Sequence, residues 1–216
     1  MLVRELMTPN PTTISIDTSV PEALRVMHEG NFRELPVLDT HGQLAGIVSD
    51  KDLLYASPSP ATSLSIWEIK DLLSKVKVEE VLIRDVQTAG EDMPVEEAAR
   101  IMADCKIGSL LVMRDKVMVG IITKTDLFKA FLSMLGGRRP GVRVAAYTSG
   151  AKGTVARITN AIAALGGDIV GLGFSEVSDQ SELKWEMTFK VQDVAKDKLV
   201  EVLKPLVLEI IDIREM

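Results

Sequence analysis

The apolar positions of this chain follow a pattern that is written out twice. Val20, Ala23, Leu24 and Met27 recur at helical spacing and are followed by two short apolar runs, Leu35 to Leu38 and Gln43 to Val48. Further on, Val95, Ala98, Ala99 and Met102 repeat the spacing, and the runs Leu110 to Met113 and Val117 to Ile122 follow. Three- and four-residue spacing predicts a helix with one buried face, and short apolar runs bounded by turn residues predict strands. The helices should open near Thr18-Ser19 and Asp92-Met93 with Pro in the first turn, and the first should stop at Gly30. An extended stretch precedes each, Thr12 to Ile16 and Gln87 to Gly90.

The correspondence reaches individual residues. Displacing the chain by 75 positions superposes Val3 on Val78, Thr13 on Thr88, Asp17 on Asp92, Arg25 on Arg100 and Val37 on Val112. The displacement falls to 74 after the turn at Asp39 to Gln43, because a loop tolerates the loss of one residue. Each copy closes on the same turn, Gly46-Ile47-Val48-Ser49-Asp50-Lys51-Asp52 and Gly120-Ile121-Ile122-Thr123-Lys124-Thr125-Asp126. Two aliphatics and a hydroxyl residue ahead of a helix-forming run predict a buried strand that ends where a helix begins, with Ser49 or Thr123 as N-cap. The N-terminus of such a helix presents unpaired N–H groups and a positive dipole end to an anion. An Asp three residues on has acceptor oxygens for a ribose, and it is equally a near relative of the capping box. Each copy is then β-α-β-β-α.

Between the copies, Ser57 to Ser63 is a loop by composition, and Ile66, Ile69, Leu72, Leu73 and Val76 predict a helix over Ile66 to Val76. Three Gly and one Pro in Met134 to Gly141 mark the clearest boundary in the chain. Beyond it the pattern changes: a strand over Val142 to Thr148, a loop over Ser149 to Gly153, and a helix with Val155, Ile158, Ile162 and Leu165 on one face, stopped by Gly166-Gly167. Strands follow over Asp168 to Ser175 and Leu183 to Val191, the latter alternating Leu183, Trp185, Met187, Phe189 and Val191 inward with Lys184, Glu186, Thr188 and Lys190 outward. A helix over Val194 to Leu203 and a strand over Val207 to Arg214 complete β-α-β-β-α-β, the order of a ferredoxin-like sandwich. The expected fold class is therefore α/β (α+β). Its segments are repeat 1 at 1–60, an inter-repeat segment at 61–77, repeat 2 at 78–135, a linker at 136–141 and a last domain at 142–216.

Composition narrows the chemistry. The chain has 216 residues, 46% of them hydrophobic, and a net charge of −6, which argues against a nucleic-acid footprint. No apolar run approaches a membrane span and the first residues lack a signal-peptide pattern, so a cytoplasmic protein is expected. One cysteine, Cys105, excludes an intramolecular disulfide, and two histidines, His28 and His41, leave too few ligands for a zinc cluster. No nucleophile is paired with a base and no Walker-type loop occurs, so no catalysis and no metal are expected.

Both copies resemble CBS domains, whose signature is this Gly-aliphatic-aliphatic-Ser/Thr-x-x-Asp turn following a Leu-Pro-Val strand, here Leu35-Pro36-Val37. The resemblance covers residues 1 to about 135. It implies that the copies pack sheet to sheet as one module with two pseudosymmetric clefts that bind adenine nucleotides or adenosyl compounds. Asp52 and Asp126 then hold ribose, with Ser49 and Thr123 as their cap partners. Lys51, Lys124 and Arg33 contact phosphate, and Thr13, Ile14, Thr88, Ile107 and Leu110 line an adenine pocket. The second copy departs where Arg33 aligns with Gly108 and Pro36 with Leu111, so the two clefts should differ.

The last domain resembles an ACT domain, with Gly153 as the loop glycine and Asp168 in place of a usual Asn. Gly153 is equally a position needing unusual backbone dihedrals. ACT domains imply side-by-side association and an amino acid held at the interface. The whole order resembles small CBS-CBS-ACT proteins linked with acetoin utilisation in bacteria. The implied function is that of a non-catalytic, homodimeric ligand sensor that binds AMP, ADP, ATP, S-adenosylmethionine or NADH and acts on its ACT unit or a partner metabolic enzyme. The alternative is a ligand-free dimerisation module that regulates such an enzyme.

Overall fold

Both helices of the repeat form where the spacing puts them. In the computed structural model, which describes residues 1–56, 73–179 and 182–216, the chain divides into two units, Met1–Leu127 and Phe128–Met216. The first copy runs α1 (Val3–Leu6), β1 (Thr8–Pro9), β2 (Ile14–Ser15), α2 (Val20–Gly30), β3 (Glu34–Leu38), β4 (Leu44–Ser49) and α3 (Asp50–Tyr55). The second opens on a 3-10 turn (Val78–Glu80) and continues through β5 (Thr88–Gly90), α4 (Val95–Asp104), β6 (Ser109–Arg114), β7 (Val117–Thr123) and α5 (Lys124–Met134). Val20, Ala23 and Met27 of α2 are buried, as are Val95, Ala98 and Met102 of α4. Asn31, in the left-handed conformation with φ 52°, ends α2 one residue after Gly30.

The extended stretch at Thr12 to Ile16 is a strand only at Ile14–Ser15, where it pairs in parallel with Val37 and Leu38. Of the inter-repeat segment, the loop Ser57 to Ser63 and the positions Ile66, Ile69 and Leu72 lie outside the described residues. Residues 73–75 are helical, and Leu73 and Val76 pack against the first repeat's core.

The two repeats exchange their leading segments. Val3, at the start of the first copy, is buried in the second copy's core with Ala98, Met102, Leu110 and Ile122. Val78, its counterpart, is buried in the first copy's core with Ala23, Met27, Val37 and Val48. The backbone follows the side chains. β1 pairs antiparallel with β7, Thr8 opposite Ile121 and Pro9 opposite Gly120, while Ile83 pairs with Ile47 of β4. The resulting sheets are β2-β3-β4, flanked by Ile83, and β1-β7-β6-β5. This crossing explains the glycine that opens each repeated turn. A Cβ on Gly46 would lie 2.4 Å from the Ile83 carbonyl oxygen, and one on Gly120 would lie 2.5 Å from Met7 Sδ.

The second unit adds β8 (Val142–Thr148), α6 (Thr154–Ala164), β9 (Asp168–Asp179), β10 (Glu182–Gln192), α7 (Lys196–Leu203) and β11 (Glu209–Glu215). Its sheet is antiparallel throughout in the order β11-β8-β10-β9. Ile158 and Ile162 of α6 and Leu199 and Leu203 of α7 are buried with Val144, Ala146, Met187, Phe189 and Val191. Both helices therefore cover one face. The predicted inward row holds for Met187, Phe189 and Val191, while the side chain of Leu183 lies outside the described residues.

Two expectations fail in this unit. Val155 is 41% exposed, and Thr154 takes the buried place, because the apolar stripe of α6 runs 154, 158, 162. Lys190 is 4% exposed although its strand alternation points it outward. Residues 135–141 explain this. A Cβ on Gly171, the β9 partner of Lys190, would lie 2.2 Å from the Leu135 carbonyl carbon, and Lys190 Nζ donates to the Arg139 carbonyl at 2.9 Å. On β11, Arg214 and Arg143 hold the Asp212 carboxyl below the usual carboxylate range, Arg214 by the larger share.

The exchange makes a stability prediction. Gly46→Ala forces a methyl into the crossing strand and should lower the first unit's stability by about 1–3 kcal/mol, the usual cost of overpacking. Gly90→Ala, which meets nothing within 4 Å, should stay within about 0.5 kcal/mol of the native chain. Thermal unfolding of the two variants measures the difference.

Candidate functional site

The repeated turns fold almost identically. Ser49 N–H and Oγ donate to Asp52 Oδ2 at 2.9 and 2.6 Å, and Asp52 N–H donates to Ser49 Oγ at 3.3 Å. In the second copy Thr123 N–H and Oγ1 donate to Asp126 Oδ2 at 3.0 and 2.7 Å, and Asp126 N–H donates to Thr123 Oγ1 at 3.4 Å. Both are reciprocal caps with Asp where Glu is usual. Each Asp is thus fixed in rotamer by the helix that it helps to start.

Exchange of the leading segments determines where a cleft opens. β1 lies antiparallel on β7, so the chain from Thr8 to Asn10 runs beside Ile121, Gly120 and Val119, back toward the start of β7. A cavity of about 720 Å³, within the range of small-molecule sites, opens here. The first repeat lines it with Thr8, Asn10 to Thr12 and Asn31 to Pro36. The second lines it with Gly108, Ile121 and Thr123 to Thr125. Each repeat contributes one exposed cation, Arg33 and Lys124. Glu34 also lines the cavity and accepts a hydrogen bond from Ser109 Oγ, its own repeat counterpart.

Arg33, Thr123 and Lys124 therefore come together. Asp126 is half-buried and adjoins them through its bonds to Thr123. Ser49, Lys51 and Asp52 stand at the other turn and do not line this cavity. The expected adenine contacts divide. Thr13 is half-buried next to the lining Thr12, Ile107 is half-buried, and Thr88 is exposed on β5. Ile14 and Leu110, at 8% and 0% exposure, pack in the two repeat cores.

In the second unit, Gly153 has φ 81° as N-cap of α6, a conformation that suits glycine, and Asp168 is exposed at the start of β9. Sequence reasoning missed Thr8, Asn10, Pro11, Asn31, Phe32 and Glu34. The signal for Thr8 to Thr12 was their place ahead of β2, and only the exchange makes it legible. Among the described residues no group of three or more His, Cys, Asp or Glu could hold a metal ion, and no helix is long and apolar enough to cross a membrane.

The model of the CBS domain family matches residues 3–59 and 78–133, just over half of the chain and both of its repeats. The chain belongs to the CBS domain family. A CBS domain-containing protein of Dictyostelium discoideum is 32% identical over 136 residues, which are 62% of this chain and 94% of that one. The L-aspartate semialdehyde sulfurtransferase of Methanocaldococcus jannaschii is 30% identical over 141 residues, 64% of this chain and only 24% of the enzyme.

Among solved structures, the CBS domain pair of protein MJ0100 in complex with 5′-methylthioadenosine and S-adenosyl-L-methionine is 30% identical. It matches 64% of this chain and 98% of its own, with a TM-score of 0.51. A Vibrio cholerae protein assigned to acetoin utilization (AcuB) matches at 30% identity and a TM-score of 0.53, over 64% of this chain and 95% of its own.

The capping geometry carries a prediction for the CBS turns. Thr123→Ala should cost about 1 kcal/mol, the usual loss for an N-cap. Asp126→Ala should cost a similar ~1 kcal/mol, because it leaves the half-buried Thr123 donors unpaired. Asp126→Asn, which keeps an acceptor, should cost less than Asp126→Ala. Urea midpoints at an unchanged m-value report the order.

Proposed function

We propose that this CBS protein is a non-catalytic regulatory sensor that binds an adenosyl ligand in the cleft between its repeats. The observation that carries the reading is the 720 Å³ cavity with Arg33, Thr123 and Lys124 on its walls and Asp126 fixed beside them. Its support from relatives is the CBS pair that is 30% identical and was solved with two adenosyl compounds. In the proposed complex Asp126 takes the ribose hydroxyls, and Thr123 keeps its turn in place. Asp52 and Ser49 have the same parts at the counterpart turn. Thr12 and Thr13 approach the base from the other wall.

The second unit is proposed to be an ACT domain of ferredoxin-like fold. Its element order, its antiparallel sheet and the left-handed Gly153 at the start of α6 support this. In the proposed mechanism the ligand shifts a balance between two conformations of the CBS pair, by as much as its affinities for the two differ. In this reading the ACT unit pairs chains into a homodimer and takes an amino acid at that interface, and it, or a metabolic enzyme bound to it, responds. The AcuB likeness favours acetoin utilisation as the setting. A cytoplasmic protein fits these parts.

Capping by Asp52 and Asp126 also favours a second reading, in which both turns are purely structural and the chain is an assembly module. Calorimetric unfolding separates the two. A ligand at 100 times its Kd adds ~2.7 kcal/mol to the unit that binds it. The sensor reading expects the transition to rise with adenosine monophosphate, adenosine triphosphate, S-adenosylmethionine or 5′-methylthioadenosine and not with guanosine or cytidine monophosphate. No rise with any adenosyl compound would leave the assembly module.

A further inference from the structure

Helix α5 belongs to both units. The division between them falls after Leu127, inside the helix, so its first turn counts with the repeats and the remainder with the second unit. That first turn starts at the reciprocal cap of Thr123 and Asp126, and Thr123 to Thr125 line the cavity. Between its ends the helix buries Ala130 alone, while Phe128, Phe131 and Met134 are 67%, 56% and 60% exposed. Eleven residues are too few for a helix to be firm on its own, and helix formation is cooperative, so order at one end favours order at the other. The stability of α5 therefore depends on how its two ends are held.

The far end is held by a built joint. Gly137 N–H donates to the Leu132 carbonyl at 2.7 Å and Gly136 N–H to that of Ser133 at 3.1 Å, with Gly136 left-handed at φ 62°, the pairing that closes a helix on a C-terminal glycine. The chain then lies on the second unit's sheet. Two glycines of β9 make the room: a Cβ on Gly171 would stand 2.6 Å from the Gly136 nitrogen, and one on Gly173 would stand 2.9 Å from Leu135 Cδ2. Downstream, Lys190 Nζ donates to the Arg139 carbonyl at 2.9 Å and Gln192 Nε2 to the Pro140 carbonyl at 2.8 Å. Lys190 is 4% exposed, and a buried ammonium is costly without an acceptor, which this segment supplies. Gly141 and Met216 finish the joint by exchanging N–H···O bonds at 2.9 Å. The stretch expected as a linker over 136–141 is thus a strap fastened along its length.

We infer, resting on the adenosyl reading above, that α5 and this strap are the element that couples the ligand to the second unit. A ligand that engages the Thr123–Asp126 turn steadies the first turn of α5, and cooperativity along the helix carries that order to the joint on β9 and β10. Such a coupling is a linkage between two equilibria and works in both directions. Loosening the joint, none of whose residues lines the cavity, weakens ligand binding.

Titration calorimetry of the full chain with adenosine monophosphate, adenosine triphosphate, S-adenosylmethionine and 5′-methylthioadenosine tests this through two variants. Gly171→Ala drives a methyl against the backbone of Leu135 and Gly136, and Lys190→Met removes the donor to Arg139 while keeping the bulk of the buried stem. Each should weaken the compound that the native chain binds most tightly by at least about threefold, the scale on which substitutions along a coupling route act. Ile158→Val, which loosens the second unit's core away from the strap, should leave that affinity within about 1.5-fold. Circular dichroism establishes that each variant is folded, and should Gly171→Ala fail to fold, Lys190→Met decides alone. Native affinity in the folded strap variants, or an equal loss in Ile158→Val, would overturn the coupling while the adenosyl reading stands. Binding of none of the four compounds by the native chain would overturn both.

Discussion

The structure of the first unit depends on the exchange of leading segments between the repeats. A single β-α-β-β-α copy leaves β4 or β7 at the edge of its sheet and one side of its helix face uncovered. An open edge exposes unpaired backbone donors and acceptors. Here the leading segment of each copy closes the other: β1 lies on β7, Ile83 on β4, and Val3 and Val78 each complete the core of the opposite repeat. Neither copy is complete alone. The site inherits this, since the cavity is lined by Thr8 and Asn10 to Thr12 of the first repeat together with Ile121 and Thr123 to Thr125 of the second.

The same constraint accounts for the residue types of the signature. Gly46 and Gly120 are without side chains because the leading segment of the other repeat passes over them, Leu82-Ile83 at the first and Met7-Thr8 at the second. Ser49 and Thr123 cap, and Asp52 and Asp126 return the cap. What distinguishes the two turns is then confined to positions outside this pattern, among them 33, 50, 108 and 124.

Much of this was legible in the sequence. The helical stripes at Val20 to Met27 and Val95 to Met102 gave the helices, and the repeated turn gave the caps, because both are set by residues close together in the chain. The exchange was not legible. Period and spacing report which face of a strand is buried but not which strand lies beside it, and the match of Val3 to Val78 identified equivalent residues without saying that they had traded places. Ile14 and Leu110 show a related limit: an apolar residue beside a site and one in the core look alike in sequence, and both residues are buried in the repeat cores. Lys190 shows the limit of alternation. Its strand period correctly put it on the face opposite the helices, but what covers that face, the stretch around Leu135 to Arg139, is a matter of tertiary packing. In α6 the expected face began at Val155, whereas the buried stripe begins one residue earlier, at Thr154.

The central claim is that one ligand cleft is assembled from both repeats by the exchanged β1 segment. Hydrogen–deuterium exchange on the full chain, with and without adenosine monophosphate, tests it most directly by reading each wall separately. The account predicts that the ligand protects the amides of residues 8–12 together with those of 121–126, and leaves 83–87 and 47–51 at their unliganded rates. Protection confined to one repeat, or appearing only around residues 149–153 of the second unit, would contradict it.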